Sequence, residues 1–281
     1  MASRAEQKAK AKAERIEFER KLAEAARRKQ QIGRLGGVVA IAAIAIVAAI
    51  VISSNNKAAA PVKTGTPKAN QIVTRVSSLL SGIPESGNNI LGKPNAPIQV
   101  TEYGDLECSA CDDFALAANV NTSAGTPGSG VEDDLINTYV RTGQASLVYR
   151  SLDTATGNGA TPEEFPAQQA AALAAGLQQK AWYYIELFYN EQGAEGSTYV
   201  DESYLDNLAK QVPGLNYSQW LTDRNESSLT AQVQSDETNA GNLGLQNTPS
   251  IIVKGPKGQA SPIQGVPTWP QLQAAIKSVS G

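Results

Sequence analysis

The chain has 281 residues, of which 41% are hydrophobic and 18% charged, and its formal net charge is −3. It contains no histidine and only two cysteines, so it lacks the three or four nitrogen and sulfur ligands that a zinc site usually needs. The phosphate-binding motifs GxGxxG and GxxxxGK[ST] are also absent. We therefore predict neither a metal ion nor a nucleotide or flavin cofactor.

A basic segment followed by an apolar run opens the chain. Residues 1–34 carry eleven Lys and Arg against five Asp and Glu, with opposite charges interleaved at helical spacing. Residues 35–52 are uncharged and would span roughly 27 Å as a helix, close to the thickness of one bilayer core. Because basic flanks stay in the cytoplasm, we predict a single transmembrane helix over 35–52 and a catalytic domain outside the cytoplasm.

A cleaved secretory signal is the alternative to this anchor, since Ala58 to Ala60 resemble a signal-peptidase site. The basic segment is longer than the n-region of a signal, and the apolar run exceeds the usual 7–15 residues, so an uncleaved anchor is favoured. Residues 53–71 lack periodicity and predict a flexible linker, which leaves 72–281 as the folded domain. The mixed charge of residues 1–34 does not predict nucleic-acid binding.

The folded domain begins with a predicted β-α-β unit. Short strands are predicted at Asn88–Leu91 and Ile98–Tyr103, and the second runs directly into the cysteines, which begin a helix. A further helix at Val131–Thr142 and a strand at Ser146–Leu152 complete the unit. This order predicts an α/β domain with a small sheet covered by helices.

A helical insertion over about 160–243 separates this unit from the end of the chain. Its predicted elements are a long apolar pattern at Gln168–Glu191 and helices at Glu202–Val212, Tyr217–Thr222 and Leu229–Leu243. A strand at Ile251–Val253, an edge strand near Ile263 and a helix at Trp269–Val279 then close the domain.

The two cysteines form the motif Cys108-Ser109-Ala110-Cys111. This spacing is typical of thiol–disulfide chemistry, because the start of a helix stabilises a thiolate and places a second thiol within reach. As a structural staple, the pair would close only a four-residue ring, which the chain-entropy model values at about 2 kcal/mol. The staple stays open as a weaker interpretation.

In the order of these pieces, the chain resembles the DsbA-type thioredoxin-fold oxidoreductases, specifically their membrane-anchored bacterial branch. The segments that carry the resemblance are Leu91–Cys108, the cysteine pair, Gln168–Leu173, Ala181-Trp182 and Gly244–Ser250. The resemblance implies a thioredoxin-like fold with a helical insertion. It implies that Cys108 is the exposed nucleophile and Cys111 the buried resolving thiol.

Three further residues receive roles through the same resemblance. Thr248 and Pro249 match the cis-proline loop that lies against the cysteines, although a trans proline is the base rate for an isolated X–Pro bond. Glu102 matches the buried carboxylate that relays protons to the resolving thiol. Strand alternation places Glu102 on the face of Val100, and burial there would raise its pKa. A surface glutamate is the alternative.

The motif also departs from the strongly oxidising members of the family. Ser109-Ala110 replaces their Pro-His pair, so no imidazole can stabilise a Cys108 thiolate. Acidic residues are expected to raise the pKa of Cys108 by like-charge repulsion, and they are Asp105, Glu107, Asp112 and Asp113. The sequence therefore predicts a milder oxidant.

The favoured function is an oxidase that introduces disulfides into reduced secreted or membrane proteins and is re-oxidised by a membrane-embedded, quinone-linked partner. A reductase or isomerase would use the same residues. A redox-inactive, chaperone-like binding module is a third reading. A fourth interpretation is that an aromatic cluster forms a docking patch for a partner, although such helical spacing is more typical of a core. The cluster consists of Trp182, Tyr183, Tyr184, Phe188 and Tyr189.

Overall fold

The computed structural model of the protein describes residues 64–87 and 89–281. The predicted cytoplasmic segment 1–34, the predicted transmembrane helix 35–52 and residues 53–63 of the predicted linker lie outside the described residues. Among the helices of the described part, none combines the length and the apolar character needed to cross a bilayer.

The first described helix, α1 (Pro67–Leu80), begins inside the segment predicted as a linker. The Thr66 hydroxyl accepts a hydrogen bond from the Ala69 N–H at 3.2 Å, and a proline occupies the first helical turn. Apolar residues at helical spacing, Ala69, Ile72, Val76 and Leu80, are buried. The Thr-Pro cap therefore starts the helix five residues before the predicted domain boundary at Ile72.

In the described part of the chain, seven strands form one mixed sheet. The strands are β1 (Glu85–Ser86), β2 (Ile90–Leu91), β3 (Ile98–Gly104), β4 (Ala145–Ser151), β5 (Ser250–Gly255), β6 (Gly258–Gln259) and β7 (Ile263–Gln264). Their order is β1-β2-β4-β3-β5-β6, with β7 also paired to β5. Only the β3/β4 pair is parallel. β3 is central and is buried on both faces. In the register of the sheet, Glu102 lies between Tyr149 of β4 and Ile251 of β5.

Two groups of helices surround the sheet. The crossover from β3 to β4 contains α2 (Ser109–Ala115) and α3 (Val131–Leu135), which continues as one π-helical turn at Ile136–Val140. The segment between β4 and β5 contains α4 (Glu164–Leu177), α5 (Ala181–Glu191), α6 (Glu202–Gln211), α7 (Tyr217–Asp223) and α8 (Ser227–Asn242). Helix α1 packs on α5, and the last helix, α9 (Trp269–Val279), packs on β5.

The long apolar pattern at Gln168–Glu191 is divided between α4 and α5. Gln179 adopts the left-handed conformation, with φ of 59°, and the Lys180 N–H closes the end of α4 on the Ala175 carbonyl at 2.9 Å. This is the usual way to end a helix, but it is unusual at a glutamine. The sequence showed no glycine or proline at the break, so periodicity alone did not reveal it.

The aromatic residues of α5 form part of the core, so the docking-patch interpretation is wrong for this cluster. Trp182, Tyr184, Phe188 and Tyr189 are each at most 1% exposed, and Tyr183 is partly buried. The Trp182 indole N–H donates to the Asn89 carbonyl oxygen at 2.9 Å. Burial with a satisfied polar atom indicates a packing role.

Replacement of Trp182 by phenylalanine tests that packing role. The change removes one of the two hydrogen bonds that the Asn89 carbonyl oxygen accepts, the other coming from the Tyr149 N–H at 3.3 Å, and it removes part of the buried ring. We therefore expect the free energy of unfolding to fall by about 1–3 kcal/mol. Urea unfolding followed by circular dichroism measures the loss. Leu177→Ala is the control, since Leu177 is 54% exposed and its truncation should change stability little. Equal stability of the two variants would contradict the packing role.

Candidate active site

Cys108 and Cys111 lie where β3 leads into α2. Cys108 is the N-cap of the helix, and its carbonyl oxygen accepts hydrogen bonds from the N–H groups of Cys111 at 3.0 Å and Asp112 at 3.3 Å. Both cysteines are free thiols. Cys111 is fully buried, as expected, but Cys108 is only 6% exposed, so the expectation of an exposed nucleophile is wrong in degree. The loop around Thr248 covers Cys108.

The loop before β5 packs against Cys108. The Thr248–Pro249 peptide bond is cis, as the resemblance implied. The Cys108 thiol donates to the Thr248 carbonyl oxygen, with 3.7 Å between Sγ and O. The Thr248 hydroxyl lies 2.5 Å from the hydroxyl of Thr154, which follows β4. The structure thus brings Cys108, Thr248 and Pro249 together from distant parts of the chain.

The pKa of Cys108 is lowered from the ordinary value of a cysteine. A hydrogen bond from Cys111 is the largest cause, and the Thr248 side chain contributes in the same direction. Burial of the thiol and repulsion by the Glu195 carboxylate oppose this lowering. The sequence predicted that acidic neighbours oppose the stabilising effect of the helix start. The pKa is nevertheless below the ordinary value, and Asp105, Glu107, Asp112 and Asp113 are not among its main causes.

Burial explains why those acidic residues have less effect than expected. Burial raises the pKa of Asp105 to about 6, that of Glu107 to about 8 and that of Asp112 to about 7. Carboxyl groups with such pKa values carry less negative charge at neutral pH than exposed ones do. The sequence marked these residues as charged neighbours of Cys108, but only the fold shows that they are buried.

Glu102 lies on β3 and is fully buried, as strand alternation predicted. The Tyr189 hydroxyl donates to one of its carboxyl oxygens at 3.4 Å. Burial raises the pKa of Glu102 to about 8, and the charge of Cys108 acts in the same direction. Burial also raises the pKa of the Cys111 thiol well above its ordinary value, and repulsion by Glu102 adds to this rise. Glu102 and the resolving thiol are therefore electrostatic neighbours.

Asp105 joins the site to the segment after β4. Its carboxyl oxygens accept hydrogen bonds from the N–H groups of Thr154 at 2.9 Å and Ala155 at 2.8 Å, and from the Gln168 side chain at 3.3 Å. These bonds hold Thr154 in place against Thr248. Asp105 and Gln168 both lie in segments that carry the family resemblance, but nothing in the sequence indicated that their side chains are in contact.

A loop that follows α5 supplies two contacts that the sequence analysis did not find. The Gln192 side-chain amide donates to the carbonyl oxygens of Leu106 at 2.6 Å and Cys108 at 3.1 Å. The Glu195 carboxylate accepts from the N–H of Ser109 at 2.8 Å and from its hydroxyl at 2.6 Å. These residues are more than 80 positions from the cysteines, so no local pattern in the sequence indicated them.

A groove of about 510 Å³ opens beside Cys108. Its lining is polar and apolar in equal measure and includes Cys108, Ser109, Ala110, Asp153, Thr154, Thr156, Gly157, Asn158, Glu195, Gln246, Asn247 and Thr248. The groove therefore gives an extended polypeptide a route to the nearly buried thiol. Within residues 64–87 and 89–281, no three Cys, Asp or Glu side chains are grouped so as to hold a metal ion.

Comparison with known proteins identifies the family. The thioredoxin family profile matches residues 85–278, which is most of the chain. The chain belongs to the thioredoxin family. Within it, the chain is a DsbA-like thiol:disulfide oxidoreductase, and the redox-inactive binding module is therefore excluded.

The curated relatives and solved structures agree with this assignment. "Probable disulfide bond formation protein D" of Bacillus anthracis is 23% identical over 193 residues, covering 66% of this chain and 81% of the relative. "Disulfide bond formation protein D" of Bacillus subtilis is 23% identical, covering 62% and 71%. The crystal structure of oxidised BdbD from Bacillus subtilis has a TM-score of 0.55 at 17% identity, covering 69% of this chain and 97% of that one. The last match supports the thioredoxin-like fold.

Proposed function

We propose that this DsbA-like protein is an extracytoplasmic disulfide oxidase that introduces disulfides into reduced secreted or membrane proteins. The observation that carries the proposal is the lowered pKa of Cys108 beside an open groove. A stabilised thiolate favours the reduced form of the pair, which makes the oxidised pair a better disulfide donor than a pair with an unshifted pKa. The relatives named disulfide bond formation proteins support the same direction.

The exchange proceeds in two nucleophilic attacks, each of which forms one S–S bond and breaks another. A substrate thiolate attacks Cys108 Sγ of the oxidised pair, which forms a mixed disulfide and releases Cys111 as a thiolate. Protonated Glu102, whose pKa is about 8, supplies a proton to the Cys111 thiolate. A second substrate thiolate then attacks the substrate sulfur of the mixed disulfide and releases Cys108. The substrate leaves oxidised, and the enzyme leaves as a dithiol.

Thr248 and Pro249 position the substrate in this scheme. Their loop lies against Cys108 at the wall of the groove, where it can face an extended substrate segment. The enzyme dithiol must then pass two electrons to an acceptor. We propose a membrane-embedded, quinone-linked partner for that step, with residues 35–52 as the anchor that keeps the domain outside the cytoplasm beside it.

The reduction potential of the Cys108/Cys111 pair tests the proposed direction. Equilibration of the full chain with glutathione buffers, read out by thiol alkylation, gives this potential directly. We expect a value of about −120 to −180 mV, the range of disulfide donors. A value near about −270 mV, as in thioredoxin, would contradict the oxidase and favour a reductase.

A further inference from the structure

Glu195 is the one carboxylate side chain that binds the CxxC motif directly in the described part of the chain. One of its oxygens, Oε2, accepts hydrogen bonds from both the N–H and the hydroxyl of Ser109. The other oxygen, Oε1, accepts a hydrogen bond of 2.5 Å from the side-chain amide of Asn158, which also lines the groove. Three donors therefore fix this carboxylate beside the first residue after Cys108.

We propose that Glu195 is a positioning residue that weakens the oxidant by holding a negative charge beside Cys108 and by occupying both donors of Ser109. The inference rests on thiol–disulfide exchange at Cys108 and not on the direction of electron flow proposed above. The proposal also explains why a serine follows Cys108, because only a residue with both an N–H and a hydroxyl can donate both hydrogen bonds to Glu195.

The contacts explain the effect on the thiol in physical terms. A free N–H at the start of a helix, or a nearby hydroxyl, can stabilise a thiolate by donating to it. Here both Ser109 donors point to Glu195, so neither is available to Cys108. Repulsion by Glu195 raises the pKa of Cys108 and opposes the hydrogen bonds from Cys111 and Thr248. Glu102, beneath the pair, is the other carboxyl group in electrostatic contact with Cys108.

The loop that carries Glu195 is built to reach the groove. A Cβ at Gly196 would lie 2.6 Å from the Asn158 carbonyl oxygen, and one at Gly193 would lie 2.6 Å from the Tyr199 ring. These distances are too short for any larger side chain without a shift of the loop. Glycines on both sides of Glu195 therefore allow the loop to approach the segment that holds Asn158.

Glu195→Gln tests the charge while keeping an oxygen that can accept from Ser109. We expect the pKa of Cys108 to fall and the ratio of reduced to oxidised protein at fixed glutathione to rise about threefold to tenfold, which is about 14 to 30 mV for a two-electron couple. Iodoacetamide reaction rates against pH measure the pKa in the full chain. Glu163→Gln, at an exposed glutamate, is the matched control and should leave both quantities unchanged.

A double-mutant cycle with Ser109→Pro shows whether Ser109 carries the effect. Proline is tolerated at the first position of a helix and removes both donors at once. Of the three donors only Asn158 then still holds the carboxylate, which can move away from Cys108. Glu195→Gln should therefore shift the glutathione equilibrium less than half as much in the Ser109→Pro background. An equal shift in both backgrounds, or no shift beyond the Glu163→Gln control, would overturn the proposal. Because these are differences between variants, they hold whether the parent potential fits an oxidase or a reductase.

Discussion

Cys108→Ser is expected to reduce disulfide exchange by about 10³-fold or more, because without the Cys108 sulfur the chain cannot form the Cys108–Cys111 disulfide that the substrate thiolate attacks. Cys111 is the one other cysteine in the sequence, and it then has no sulfur in the chain to pair with. The measurement is the rate at which the oxidised full chain forms a disulfide in a model peptide with two cysteines.

Cys111→Ser is the matched control for this variant. It keeps the Cys108 thiol but removes the thiol that resolves the mixed disulfide. When the reduced variant is mixed with the disulfide form of the peptide, Cys108 should attack that disulfide and the mixed disulfide should accumulate. Mass spectrometry of the trapped adduct locates the bond. Exchange above about 1% of the parent rate in Cys108→Ser, or an adduct in that variant, would show that Cys108 is not the attacked sulfur.

Glu102→Gln is expected to stabilise the protein increasingly as pH rises from about 5 to about 8. In the folded chain, Glu102 keeps its proton until its pKa of about 8, whereas an unfolded glutamate loses the proton near its ordinary pKa of about 4.3. The unfolded state binds fewer protons in this window, so the parent loses stability as pH rises through it. The loss is on the order of 1.4 kcal/mol per pKa unit, and glutamine removes it. Urea unfolding at pH 5, 6.5 and 8 measures the difference.

Glu132→Gln separates this stability effect from the proton relay. Glu132 is also fully buried, and burial raises its pKa well above the ordinary value. It interacts electrostatically with Glu102 but is not among the groups that act on Cys111, and Glu132→Gln leaves the Glu102 carboxyl group in place. Both variants should therefore gain stability at pH 8. Only Glu102→Gln should slow the opening of the oxidised pair, on the order of 10²-fold. Equal exchange rates in the two variants would contradict the relay role of Glu102.

Local patterns predicted the elements that carry strong local signals. Helix α9 begins and ends where the sequence placed it, because Thr268 and Gln271 form a capping box and a proline occupies its first turn. Strand β3 and the helix after Cys108 also lie where they were expected. The spacing of the cysteines and the alternation of the strand marked the cysteine motif and the burial of Glu102. The cis Thr248–Pro249 bond was anticipated only through the family resemblance.

The sequence did not predict contacts between residues that lie far apart in the chain. Glu132 follows a glycine at the start of a helix, where an acidic residue is typical of a solvated first turn, yet it is fully buried. Glu195 lies in a glycine-rich loop 86 residues from Ser109. Neither position has a periodicity or a spacing that reports which distant element it meets. The net pKa of Cys108 could not be assigned from the sequence for the same reason, since burial and hydrogen-bond partners determine it.

Through the loop that holds Gln192, the helical insertion can influence the reactivity of the cysteine motif. The Gln192 amide binds the backbone of the cysteine motif from 84 residues away, although the motif directly follows β3 and the cis-proline loop directly precedes β5, outside the insertion. Divergence of the insertion could therefore retune the chemistry of a lineage while both cysteines stay unchanged. Chimeras that exchange the segment between β4 and β5 among relatives would transfer that tuning as one unit.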